Sequence, residues 1–225
     1  MRGILIIGAE RGLGLGLAQA LASEGWNVTG TARYGADTTA LEKVARVAHV
    51  DVTRADQIEA LRREIDRSFD VIFLVAGIFG PLHNSVVEAT DAEFADIMLT
   101  NCFGPIRLAH RLLDRLKPHG TIAVMSSHRG SITLNTEPGL KLDLYRVSKA
   151  GLNMLARTLH ADHPDLTVLS IHPGWAATTM GTLDGTVEAE ISVEESVKGM
   201  VDVLKAHIGT GKNLYLDWRG RSLPW

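Results

Sequence analysis

Apolar and polar positions fall into alternating blocks along the chain. Gly3-Ile4-Leu5-Ile6-Ile7 is a continuous apolar run, the pattern of a strand buried on both faces. Over 13–23 the apolar residues recur at helical spacing. Residues 26–31 predict a second strand, 38–46 a short helix and 47–51 a third strand. A helix is expected over 54–67, capped by Thr53 or Asp51. Residues 71–76 form another doubly buried strand, ended by Gly77. A long helix is expected over about 91–116, stopped by Pro118 and Gly120. Strands follow at 121–126, 166–171 and 213–217, helices at 143–162 and 192–207, and a polar, glycine-containing loop fills 128–142.

Strand alternating with helix predicts an α/β fold: a Rossmann-type, doubly wound parallel sheet of about seven strands with helices on both faces. There is no repeat, low-complexity tract or linker, so 1–225 reads as a single domain. Its ligand site is expected at the carboxyl ends of the strands. The composition agrees: 45% of 225 residues are hydrophobic, enough for one sizeable core. Against 26 Asp+Glu stand 23 Lys+Arg with no basic run. That argues against nucleic acid or a membrane surface as partner. The single cysteine, Cys102, excludes an intramolecular disulfide and points to a reduced compartment. The apolar run 4–7 is too short for a signal peptide, and no stretch is long enough to span a membrane. A soluble, cytoplasmic protein is expected.

Gly8-Ala9-Glu10-Arg11-Gly12-Leu13-Gly14 lies between the first strand and the first helix. Gly8 suits a tight turn, Gly12 a close approach to pyrophosphate, and Gly14 packing of helix on sheet. The helix N-terminus would offer free N–H groups to the phosphates. An ordinary strand-to-helix turn would also tolerate three glycines, but the position favours dinucleotide binding. The second strand ends at Thr31-Ala32-Arg33 without the acidic residue that would bind a ribose 2′-hydroxyl. Arg33, with Arg11, suits a 2′-phosphate, so NADP(H) is expected over NAD(H). Two solvated arginines are the plain alternative. Glu10 would repel that phosphate, or accept a hydrogen bond from a ribose hydroxyl.

Tyr145 and Lys149 stand four apart on one expected helix, so phenol and ammonium share a face. A cation there would lower the phenol pKa and fit it for general acid–base work. Ser126-Ser127 closes the fifth strand, placing a hydroxyl at the same edge as the glycine loop. Asn101 is a poor helix former inside an expected helix. Its carbonyl or amide could hold a water linking the lysine to solvent.

In order and spacing these residues resemble the classical short-chain dehydrogenase/reductase family, along essentially the whole chain. The resemblance implies that Tyr145 is the catalytic acid/base and that Lys149 lowers its pKa and holds the nicotinamide ribose. It implies that Ser127 polarises the carbonyl and that Asn101 supports a proton-relay water. Asp51 and Val52 would contact adenine, and Ala76 and Gly77 would line the cofactor by backbone. Pro173-Gly174 belongs to the same pattern, and Thr178 would bind the carboxamide. The chain departs from the family pattern at Ile7 (usually Thr), at Val75 (usually Asn) and in the longer Ser127–Tyr145 spacing. That longer loop, His172-Pro173-Gly174-Trp175 and the ending Gly220 to Trp225 look like the C-factor/sniffer branch of carbonyl reductases.

The expected activity is therefore hydride transfer between NADP(H) and a small carbonyl or alcohol substrate. An NADP(H)-sensing or signalling protein of the same fold, with little turnover, is the alternative. An extended-branch epimerase or dehydratase fits less well, because only 51 residues follow Gly174. A homodimer or homotetramer through 91–116 and 143–162 is implied by the family. The segment 176–191 reads as an open or mobile substrate lid. His160 and His163 lack a third ligand, so no metal is expected. His128 and Arg129 lie at the substrate mouth or in a solvated loop, and His172 is read as structural. Trp175 walls the pocket or packs its loop.

Overall fold

The computed structural model describes every residue of 1–225 except Pro138 and Leu140, which lie within the expected 128–142 loop. Its strands are β1 (Gly3–Ile7), β2 (Asn27–Ala32), β3 (Arg46–His49), β4 (Phe69–Leu74), β5 (Leu116–Met125), β6 (Thr167–His172) and β7 (Asn213–Asp217). Between them run α1 (Gly12–Ser23), α2 (Thr39–Glu42), α3 (Ala55–Glu64), α4 (Asp91–Met98), α5 (Gly104–Arg111), α6 (Asp143–Asp162) and α7 (Val193–His207). The seven strands form one parallel sheet in the order β3-β2-β1-β4-β5-β6-β7.

Side-chain alternation along the strands divides the core into two layers. Leu5, Ile72, Val124 and Val168 point to one face, where α3, α5 and α6 pack. Ile4, Phe73, Ala123 and Leu169 point to the other, under α1 and α7. The unbroken apolar runs thus supply both layers. Because β1 lies between β2 and β4, the chain leaves it in opposite directions, and a crevice opens at its carboxyl end. Every strand runs the same way, so the turns after all seven share that edge.

The single helix expected over 91–116 is two helices joined by a π-helical turn, Leu99–Phe103, and ends at Arg111. The cause of the loosening lies in sequence: Pro105 has no N–H for the Asn101 carbonyl four residues earlier. The Gly104 N–H reaches back five residues to Leu99 instead. Pro118 and Gly120 do not stop this helix. They lie in β5, where pairing with β4 slips between Phe69↔Leu116 and Val71↔Thr121, a place that tolerates a missing donor. Buried Leu112 and Leu116 had prolonged the helical spacing. Thr53 and Asp51 cap nothing. The Asp51 carboxylate accepts the Thr53 N–H and hydroxyl at 2.8 and 2.7 Å, and α3 begins after Arg54 without a side-chain cap.

Candidate active site

The glycine loop turns at Gly8, whose φ of +86° favours glycine and whose N–H donates to Thr31 Oγ1 at 3.1 Å. A Cβ on Gly14 would lie 1.9 Å from the Gly8 carbonyl oxygen, so only glycine lets α1 start this close to β1. No side chain caps α1, and its first turn holds no acid. Its leading N–H groups and positive dipole end are therefore open to an anion. Leu13 packs toward the core beneath the helix. Arg11 and Arg33 are both exposed, and among the described residues neither guanidinium has an ion-pair partner. Glu10 is partly exposed beside Arg11. Thr178 comes to the same loop: its methyl lies 3.6 Å from where a Gly12 Cβ would stand.

Val75 replaces the asparagine of the family pattern, and the backbone does the holding. The N–H groups of Val75 and Ala76 both donate to the Ile7 carbonyl, at 2.9 and 2.8 Å. Ala76 thereby lies against Gly8, and Gly77 comes next to Asn101 and Lys149. A Cβ on Gly77 would be 3.1 Å from Asn101 Oδ1 and 3.5 Å from Lys149 Nζ. Val52 is buried, and its carbonyl faces Gly104. Pro173 accepts the Ser196 hydroxyl at 2.6 Å, fixing the turn after β6.

Lys149 is only 4% exposed and donates to the Met125 carbonyl at 2.9 Å. Burial draws its pKa down to about 8. Its Nζ lies 5.7 Å from the Tyr145 ring centroid, so the two do share a face of α6. The expected lowering of the phenol pKa by Lys149 is not found. Burial raises the Tyr145 pKa, and only hydrogen bonding with Ser127 opposes it.

Of the serine pair, Ser127 faces Tyr145, while Ser126 is buried and donates to Asn153 Oδ1 at 2.7 Å. Asn101 is fully buried, but its amide is not free to hold water. Oδ1 accepts the Ile78 N–H at 2.7 Å, and Nδ2 donates to the Ile78 carbonyl at 2.8 Å and to Ser148 Oγ at 3.0 Å. Ser148 in turn donates to the Tyr145 carbonyl at 2.8 Å. The amide thus fastens the π-turn to α6. The Asn101 main-chain carbonyl loses its α-helical donor at Pro105.

Three neighbours were not foreseen. Asn84, buried in the segment after β4, accepts the Tyr145 N–H at 2.9 Å. Phe79 stacks on the Tyr145 ring at 5.7 Å. Tyr215 of β7 donates from its hydroxyl to the Ser127 carbonyl. Asn and Phe in a loop carry no periodic signal, and Tyr215 reads as one more strand residue.

His128 Nδ1 and His172 Nε2 lie 3.0 Å apart, and burial draws the His172 pKa to about 3. This neutral pair joins the ends of β5 and β6. Arg129 pairs with Glu137 across the longer loop. His160 bonds the Leu166 carbonyl, and no group of three metal-ligating side chains occurs among the described residues. The Trp175 indole donates to Gly181 at 2.6 Å, packing its loop. The 176–191 segment is pinned at its base by the Ala176–Ile191 bridge. Among the described residues no helix is long and apolar enough to cross a membrane.

The sequence model of the enoyl-(acyl carrier protein) reductase family matches residues 8–200. The chain belongs to the short-chain dehydrogenase/reductase family. It is similar to a Burkholderia multivorans short-chain dehydrogenase/reductase solved with bound NADP: 37% identity, TM-score 0.92, covering 100% of this chain and 99% of that one. The carbonyl reductase Sniffer of D. melanogaster matches with 29% identity and a TM-score of 0.86 over the whole of both chains. The C-signal protein of Myxococcus xanthus is 34% identical over 161 residues, 69% of this chain and 92% of that protein.

Proposed function

We propose that residues 1–225 form one cofactor-binding and catalytic domain that reduces carbonyl compounds, or oxidises the matching alcohols, with NADP(H). The observation that carries this reading is the convergence at one sheet edge of an uncapped glycine-loop helix with Lys149, Tyr145 and Ser127. The nicotinamide cofactor, when bound, supplies the hydride. Gly8, Gly12, Gly14 and the first turn of α1 would hold its pyrophosphate. Arg11 and Arg33 would hold the 2′-phosphate, Asp51 and Val52 the adenine. Ala76, Gly77, Gly174 and Thr178 would line its nicotinamide half.

Ser127 donates to the substrate oxygen and orients it. Tyr145, held protonated by burial, gives its proton to that oxygen as negative charge develops. Lys149 stands one helical turn away to stabilise the phenolate left behind, and the Asn101 carbonyl anchors the water that returns the proton. The substrate is a small carbonyl or alcohol compound. The buried lone cysteine suits a reducing cytoplasm.

NADPH absorbance followed with a panel of aldehydes tests this. Turnover is expected, and Tyr145→Phe is expected to remove at least about 100-fold of it; full activity in that variant refutes the assignment. The likeness to a protein named C-signal favours, as a second reading, an NADP(H)-sensing or signalling protein of the same fold with little turnover. Calorimetric NADPH binding with no reduction of any carbonyl would select it.

A further inference from the structure

Ser127 is held by a part of the chain remote from the cofactor loop. Tyr215 is 3% exposed, and its hydroxyl donates to the Ser127 carbonyl, which also accepts the Gly130 N–H at 2.8 Å. Burial raises the Tyr215 pKa to about 12, so it remains a donor across the working pH range. Trp225 covers the Tyr215 ring, with centroids 5.1 Å apart. The chain between them folds back along β7, where the Leu223 N–H donates to the Tyr215 carbonyl at 2.8 Å.

The same tail grips the loop beyond Ser127. The Ser131 hydroxyl donates to the Pro224 carbonyl at 2.6 Å. Thr133 donates to the Trp225 carbonyl from its N–H at 3.3 Å and its hydroxyl at 2.8 Å. Arg157 of α6 lies over the Trp225 ring at 5.5 Å. Ser127 needs such support. It follows the end of β5, and its own hydroxyl accepts the Arg129 N–H at 3.2 Å and faces the Tyr145 phenol.

We propose that Tyr215 and Trp225 are positioning residues for Ser127, and that the folded-back tail clamps 127–134 so that the Ser127 hydroxyl meets the substrate oxygen. The proposal rests on the reading of Ser127 as the group that polarises the carbonyl. The Tyr215 hydroxyl also comes beside the Asn153 and Ser126 side chains, and it donates to the Ser127 carbonyl; phenylalanine keeps the ring and removes that bond. A shift of about 1 Å at an orienting group can cost on the order of 100-fold in rate.

Tyr215→Phe and Trp225→Ala in the NADPH-bound protein test the clamp by kinetics and by hydrogen exchange at the Gly130 and Thr133 amides. The expected result is faster exchange and a kcat about tenfold lower, with KM and NADPH affinity within about twofold. Each loss should be non-additive with Ser127→Ala, because both act through one group. Additive losses, or faster exchange with unchanged kcat, overturn the positioning role. Unchanged exchange overturns the clamp. If Trp225→Ala does not fold, Trp225→Phe takes its place beside Tyr215→Phe. Full activity in Ser127→Ala would instead remove Ser127 from the reaction, and with it the positioning role, while exchange still reports whether the clamp exists.

Discussion

Asn84 caps the helix that carries Tyr145 from outside that helix. Its side-chain carbonyl accepts the Tyr145 N–H at 2.9 Å, and its main-chain carbonyl accepts the Asp143 N–H at 2.8 Å. The Asp143 carboxylate returns to the Val86 N–H at 3.0 Å. The preceding residue, Leu142, gives α6 no side-chain cap, so two segments are sewn together where the phenol begins.

Asn84→Ala should therefore cost about 1–3 kcal/mol, since it strands a buried N–H and places alanine at a φ of +47°. It should also lower kcat by loosening Tyr145. Urea unfolding and steady-state rates check this. An unchanged midpoint would remove Asn84 from the account.

Lys149 gives stability a pH dependence. Its folded pKa, about 8, lies below the ordinary 10.5. Between those values the unfolded chain binds the proton and the folded chain does not, so stability rises with pH. The burial penalty is fully present below pH 8. Unfolding midpoints measured from pH 7.5 to 9.5 should climb in the parent chain, and this part of the slope should vanish in Lys149→Met.

His172 acts in the acid range. Its folded pKa of about 3 lies below the ordinary 6.5, so the unfolded chain gains a proton that the folded chain refuses. Stability should fall as pH drops below 6.5, and His172→Gln should flatten that fall. Midpoints compared at pH 7 and pH 5 decide it.

The proposed preference for NADP(H) has its own test at Arg33. Arg33→Asp should raise the Kd for NADPH about 10- to 100-fold, the worth of one lost charge-assisted contact. NADH binding should change far less. Equal losses for both cofactors would place the 2′-phosphate elsewhere.

Phe94, Leu99, Phe103 and Met154 expose an apolar strip along α4, the π-turn and α6, with Phe103 at 54% exposure. Helix pairing through this strip should give a dimer. Phe103→Lys should shift sedimentation toward monomer without loss of helicity; a parent chain that sediments as monomer refutes the expectation.

The doubly buried runs of β1 and β4 and the glycine loop made the fold readable, because each pattern has one physical cause. Tyr145 and Lys149 were readable as a pair by helical spacing, and Ser127 joined them through its place at the end of a strand and through the family resemblance, despite the longer loop between. The break at Leu99 was not, because a π-turn keeps nearly helical periodicity and its cause, Pro105, follows the residue it affects. The end of the helix was misplaced because Leu112 and Leu116 imitate another turn. Asn84 and Tyr215 act across 61 and 88 residues of chain, a range at which no local pattern speaks.

The parallel sheet also sets an order of assembly. β1, β2 and β3 form neighbouring pairs early in the chain, whereas the bond that fixes Ser127 comes from β7, the last strand. The loop that carries Ser127 is thus braced only when β7 joins the sheet, and it is the last stretch of that edge to become fixed.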